Sequence, residues 1–99
     1  TKSIDVVNRK DIWDVFSEWK VNESYCSRGQ MKTQMNDYVG AMDDFNRAIK
    51  IYDGMSEPYY YRGMLKIKLG QNKNACIDFS KAGELGYAVA YDAIQQYCR

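Results

Sequence analysis

The sequence has no histidine, one proline (Pro58), three cysteines, and no apolar run near the length of a membrane span. Each shortage excludes something. Without His, the commonest general base and the commonest nitrogen ligand for a metal are missing. Cys26, Cys76 and Cys98 are odd in number and widely spaced, with no CxxC, which argues against a disulfide framework and against a zinc site. A reducing, cytoplasmic setting is the default that follows. A spanning helix needs about 20 apolar residues, so no membrane insertion is expected, and residues 1–10 lack the apolar stretch of a secretory signal. A charge excess is lacking too. The 14 Lys+Arg nearly cancel the 13 Asp+Glu, so the counterion-release drive of a nucleic-acid binder is absent. Gly29, Gly40, Gly54, Gly63 and Gly70 are isolated, so no loop cradles a phosphate, and no cofactor or metal is implied. Thr1 is not an initiator Met, and the chain fits an excised piece of a longer protein. Its 99 residues suffice for one domain with one core, residues 1–99.

What is present is a repeat. Laying residues 22–55 over 56–89, a shift of 34, pairs Glu23 with Glu57, Tyr25 with Tyr59, Arg28 with Arg62 and Gly29 with Gly63. Further along it pairs Lys32 with Lys66, Ala41 with Ala75, Asp44 with Asp78, Phe45 with Phe79 and Ala48 with Ala82. Chance alignment would give roughly two identities rather than these nine.

Each unit reads as two helices. Asn22 and Ser56 are plausible N-caps, and Pro58 sits in a first turn where a missing N–H costs little. Tyr25, Arg28, Met31 and Met35 recur at helical spacing, as do Tyr59, Arg62, Leu65 and Leu69. Asn36 aligns with Gly70, the two residue types that best tolerate a left-handed helix end. The second helices carry Ala41, Phe45, Ala48 and Ile51, then Ala75, Phe79, Ala82 and Leu85, and Asp53-Gly54 turns between the units. Small residues at Gly29, Gly63, Ala41, Ala48, Ala75 and Ala82 let paired helices approach, and Phe45 and Phe79 fill the volume between crossings. One such pair cannot bury its apolar face alone, so the units must stack.

These residues resemble the tetratricopeptide repeat family. The runs Tyr25-Cys-Ser-Arg-Gly29 … Ala41-x3-Phe45-x2-Ala48 and Tyr59-Tyr-Tyr-Arg-Gly63 … Ala75-x3-Phe79-x2-Ala82 follow its period and packing pattern. Asn36-Asp37-Tyr38 is similar to its inter-helix turn. Both units depart alike: Arg28 and Arg62 replace the pattern's Leu, Lys32 and Lys66 its Tyr, and Asp53 and Tyr87 its closing Pro. Residues 81–87 also resemble the slightly longer Sel-type repeat. The resemblance implies an all-α fold, an α/α superhelical stack of antiparallel helix pairs. It comprises an N-terminal helix (1–21), two units (22–55 and 56–89) and a C-terminal capping helix (87–99). In the N-terminal helix, Ile12, Val15, Phe16 and Trp19 form a stripe. That helix either shields the first unit or docks against absent sequence, and nothing in the residues decides whether it runs on past Asn22.

Nine tyrosines invite a functional reading. In the family's arrangement the first helices of successive units line a concave groove. By resemblance it receives Cys26, Gln30 and Thr33 from the first unit, Tyr60, Tyr61, Met64, Ile67 and Lys68 from the second, and Tyr91 and Ile94 from the last helix. Tyr and Met are enriched in binding interfaces. The carboxylate clamp of some family members is disfavoured, because Cys26, Ser27, Gln30, Glu57, Tyr60 and Tyr61 at its positions are uncharged or acidic. The expected role is a protein–protein interaction module that binds a peptide or protein segment. The alternative is a structural or self-associating end of a larger helical assembly. An enzyme is not expected: with no His, only Lys, Arg or a helix N-terminus could activate Cys26, and Cys76, between Ala75 and Ile77, reads as packing.

Overall fold

The computed structural model describes the backbone of residues 2–99 and the side chains of residues 17–99. The described residues form five helices and no strands: α1 (Lys2–Gln34), α2 (Tyr38–Ile51), α3 (Ser56–Lys68), α4 (Asn72–Glu84) and α5 (Val89–Tyr97). The end of α1 pairs with α2 and α3 pairs with α4. Helix α3 also packs on α2, and α5 packs on α4.

Helix α1 passes through residue 22 without a break, because no Gly or Pro interrupts residues 10–28. At about 1.5 Å per residue its 33 residues span roughly 50 Å, close to the 52 Å long axis of the chain. The side chains of Ile12, Val15 and Phe16 lie outside the described residues. Continuity of α1 also changes the expected role of Asn22. It does not cap a helix start. It lies fully buried in mid-helix, and its Nδ2 donates to the Ala48 carbonyl at 2.8 Å and the Tyr52 carbonyl at 2.7 Å. The amide thereby ties α1 to the end of α2: the Ala48 carbonyl also accepts the Tyr52 N–H at 3.1 Å, and the Tyr52 carbonyl lies just past the helix, where helical partners run out. Ser56 differs by one position from its expected role: Met55 stands at the cap, and the Ser56 hydroxyl donates to Glu57 instead.

The helix ends follow the repeat. Asn36 (φ 65°) and Gly70 (φ 77°) take up the left-handed conformation, and Gly86 (φ 100°) does so after α4. At each end the following N–H reaches back to the last turn: Asp37 to Lys32, Gln71 to Lys66 and Tyr87 to Ala82, at 2.8, 2.8 and 3.0 Å. These are the paired backbone bonds of a left-handed helix terminus. Asp37 caps α2 by accepting from the Gly40 N–H at 3.0 Å.

At the helix crossings, equivalent residues have equivalent surroundings. Phe45 and Phe79 are 1% and 0% exposed, and Ala41, Ala48, Ala75 and Ala82 are all fully buried. A Cβ on Gly29 would stand 2.6 Å from the Phe45 ring, and one on Gly63 would stand 2.6 Å from the Phe79 ring. The helices cross where only glycine leaves room for the phenylalanine. One core cluster gathers Cys26, Ala41, Phe45 and Leu65. The second gathers Tyr59, Ala75, Phe79, Ala82, Ala90 and Ala93, the last two from α5.

The cysteines depart from expectation. Cys76 of α4 and Cys98, just after α5, form a disulfide, and Cys26 alone among the three is a free thiol. Spacing along the chain hid this pair: 22 residues separate the two, and only the return of α5 antiparallel along α4 brings them together.

Candidate functional site

The Arg and Lys departures that the two units share prove to be parts of one device. In the first pair, Arg28 donates through Nε and Nη2 to the two carboxylate oxygens of Asp44 at 2.8 and 2.7 Å. Lys32 completes the set at 3.2 Å. In the second pair, Arg62 binds both oxygens of Asp78 at 2.9 and 2.7 Å, with Lys66 at 2.9 Å. Each guanidinium also lies over the ring of the matching tyrosine, Arg28 over Tyr25 at 5.3 Å and Arg62 over Tyr59 at 5.6 Å. A two-pronged arginine–carboxylate pair is the strongest hydrogen-bonded ion pair that side chains form. Both aspartates are buried, so each pair of helices is pinned by a carboxylate with three cationic contacts. The Arg28 guanidinium holds the Asp44 carboxyl below its ordinary range. The signal for this network was present in the sequence, as Arg, Lys and Asp at the same three positions of both units. It was missed because the partners lie 16 and 12 residues apart on different helices.

With those four cations committed to Asp44 and Asp78, a different set borders the cleft between α1 and α3. This cleft of about 150 Å³ is lined by Gln30, Thr33, Gln34, Phe45, Tyr61, Met64, Leu65 and Lys68. Five of the residues assigned to the groove meet here: Gln30, Thr33, Tyr61, Met64 and Lys68. Phe45, Leu65 and Gln34 were not assigned to it, and the first two provide an apolar floor. The Tyr61 ring stacks on Phe45, with centroids 6.5 Å apart. Lys68 forms no ion pair among the described residues. A wider depression of about 540 Å³ runs beside α2 and the end of α3, past Val39, Met42, Asn46 and Leu69. It holds none of the assigned residues.

The other five assigned residues lie elsewhere. Cys26 is 4% exposed and sits in the core with Ala41, Phe45 and Leu65. Burial pushes its thiol up to about 11, with the Gln30 hydrogen bond opposing and Glu57 and Glu23 adding to the rise. A thiol so raised stays protonated at neutral pH and is a poor nucleophile. Tyr60 packs among aromatic rings, 5.3 Å from Tyr61, 5.8 Å from Phe79 and 4.9 Å from Tyr87, and burial raises the pKa of its phenol. Ile67 and Ile94 pack on the second core cluster. The Tyr91 ring lies over Gly83 of α4, where an added Cβ would come within 2.8 Å of it. Of these five only Cys26 is buried; Tyr60, Ile67 and Ile94 are partly covered by neighbouring helices and Tyr91 stays 53% exposed, away from the cleft.

Repeated antiparallel helix pairs, crossing at Gly and Ala and wedged by Phe, define an α/α helical-repeat protein. No family model matches the chain. A curated protein named tetratricopeptide repeat protein 36 homolog, from Nematostella vectensis, is 35% identical to it over 65 residues. That match covers 66% of this chain and 36% of the relative, so the chain spans about a third of the length of the curated relative it matches. With the 34-residue period and the helix-pair geometry, this makes the chain similar to the tetratricopeptide repeat proteins. Among the described residues no helix is long and apolar enough to cross a membrane.

Proposed function

We propose that the chain is a non-catalytic binding module whose cleft between α1 and α3 takes a short peptide or protein segment. What supports this reading is the gathering of Gln30, Thr33, Tyr61, Met64 and Lys68 around the floor of Phe45 and Leu65. Apolar area beside amide, hydroxyl and ammonium tips is the mixture that interfaces use. The cleft volume, about 150 Å³, falls below the roughly 300–1,000 Å³ of small-molecule sites, and so favours one or two anchoring side chains over a cofactor. Such a surface gives micromolar affinity or weaker. The near-balance of charge favours a protein partner over a nucleic acid. The disulfide favours an oxidising compartment over the cytoplasmic setting expected from cysteine spacing.

The test is selection of peptides from a random displayed library on the intact chain, with counter-selection on a Met64→Ala/Lys68→Glu variant. Both side chains border the cleft and neither is fully buried, so the helical circular dichroism should hold, with a modest fall in melting temperature from the Met64 contact to the second core cluster. Selected peptides are expected to bind the variant at least tenfold more weakly. Equal binding to both proteins would remove the cleft assignment.

One observation favours a second reading, self-association. Leu65 is fully buried against the first pair, whereas its repeat equivalent Met31 is 61% exposed, alongside Met35 at 73%. The end of α1 therefore offers the kind of face on which helix pairs stack. Sedimentation over a range of concentrations decides this, since a dimer that Met31→Glu abolishes would establish it and a monomer throughout would dismiss it.

A further inference from the structure

Helix α5 does for the second helix pair what α3 does for the first. Tyr61 of α3 lies on Phe45 with centroids 6.5 Å apart and planes 17° apart. Tyr97 of α5 lies on Phe79 at 6.3 Å and 25°. Ala90 and Ala93 complete the cover, both buried against the cluster around Phe79. The two helices are held very differently. Helix α3 has 13 residues, including a fully buried Leu65 and a guanidinium that bonds back to Asn46 of α2 at 2.9 Å. Helix α5 has nine residues, and its two fully covered side chains are both alanines. A helix of that length is unstable by itself in water; beyond the two alanines, its larger side chains Ile94 and Tyr97 are only partly buried against the cluster, which limits the area that holds it. What α5 has in addition is the covalent bond from Cys98 to Cys76, with the Cys76 sulfur also against the Tyr97 carbonyl.

We propose that this disulfide is a redox latch: it keeps α5 closed over the second helix pair, and its reduction lets α5 open while the rest of the stack stays folded. The reductant is a dithiol. It gives two electrons and two protons, the Cys76–Cys98 bond breaks to two thiols, and the dithiol closes to its own disulfide. Opening uncovers Phe79 and Tyr60, so the end of the stack changes from a sealed surface to an apolar one. Both cysteines are half-buried rather than enclosed, which leaves the bond open to attack by a small thiolate. Cys26 stays out of the exchange, buried with its thiol protonated.

The experiment is hydrogen–deuterium exchange by mass spectrometry on the intact chain, oxidised and after dithiothreitol, with a Cys76→Ser/Cys98→Ser variant alongside. Alkylation before reduction should first show one reactive cysteine on unfolding, not three. Reduction should speed exchange across residues 89–97 about tenfold or more and leave residues 24–34 and 38–51 unchanged, and the double variant should match the reduced protein. Three reactive thiols in the untreated protein would overturn the latch. So would unchanged exchange in α5 on reduction, or loss of protection throughout the chain, which would make the bond a staple of the whole fold.

Discussion

Replacing Asp78 by Ala removes a carboxylate that is 3% exposed at its side chain and receives Arg62 twice and Lys66 once. The two cations cannot simply turn to water, since their side chains are only 19% and 17% exposed. Breaking a buried ion pair from one side costs about 3–5 kcal/mol, because the remaining charge stays desolvated and unmatched. For a domain near 100 residues each kcal/mol moves the melting temperature by about 4–8 °C, so Asp78→Ala should melt at least about 12 °C lower. The same change at Asp44 should cost less. Its partner Arg28 is 54% exposed and Lys32 is 29% exposed, so both recover hydration when the carboxylate goes. The assay is guanidinium denaturation followed by circular dichroism on the two single variants. A third protein, Arg62→Met/Lys66→Met/Asp78→Leu, removes all three charges together and should recover most of the loss. Equal costs at Asp44 and Asp78, or a triple variant no better than Asp78→Ala, would refute the reasoning, because the damage would then not come from stranded buried charge.

Two further outcomes follow from the same packing and charges. The Asp44 carboxyl has a folded pKa depressed chiefly by its Arg28 hydrogen bonds, below the unfolded value of about 3.9. Its contribution is therefore present above about pH 4 and lost as pH falls through the folded value, and denaturation midpoints between pH 2 and 7 should lose part of their acid-side fall in Asp44→Asn. Gly63→Ala gains about 1 kcal/mol of helix propensity. It also places a Cβ 2.6 and 2.8 Å from the Phe79 ring and 3.2 Å from the Ala75 carbonyl. Overpacking of that kind costs about 1–3 kcal/mol, so the variant should denature earlier than the parent, and a stabilised Gly63→Ala would show the crossing to be loose.

The sequence by itself determined the repeat, and through it the helices, their ends and their crossings. Gly29 against Phe45 and Gly63 against Phe79, or Asn36 and Gly70 in left-handed turns, are local rules of size and backbone freedom, and they act within 34 residues of chain. Tertiary structure alone decided whatever depended on which helix lies beside which. Asn22 became a buried donor to α2 rather than a cap, because α1 runs straight through it. Cys26 went into the core while Gln30, one turn on, reached the cleft. Cys76 met Cys98 only because α5 folds back along α4. Spacing along one helix fixes the direction of a side chain; the neighbouring helices, reached through distant contacts, fix whether that direction leads to solvent, to packing or to another sulfur.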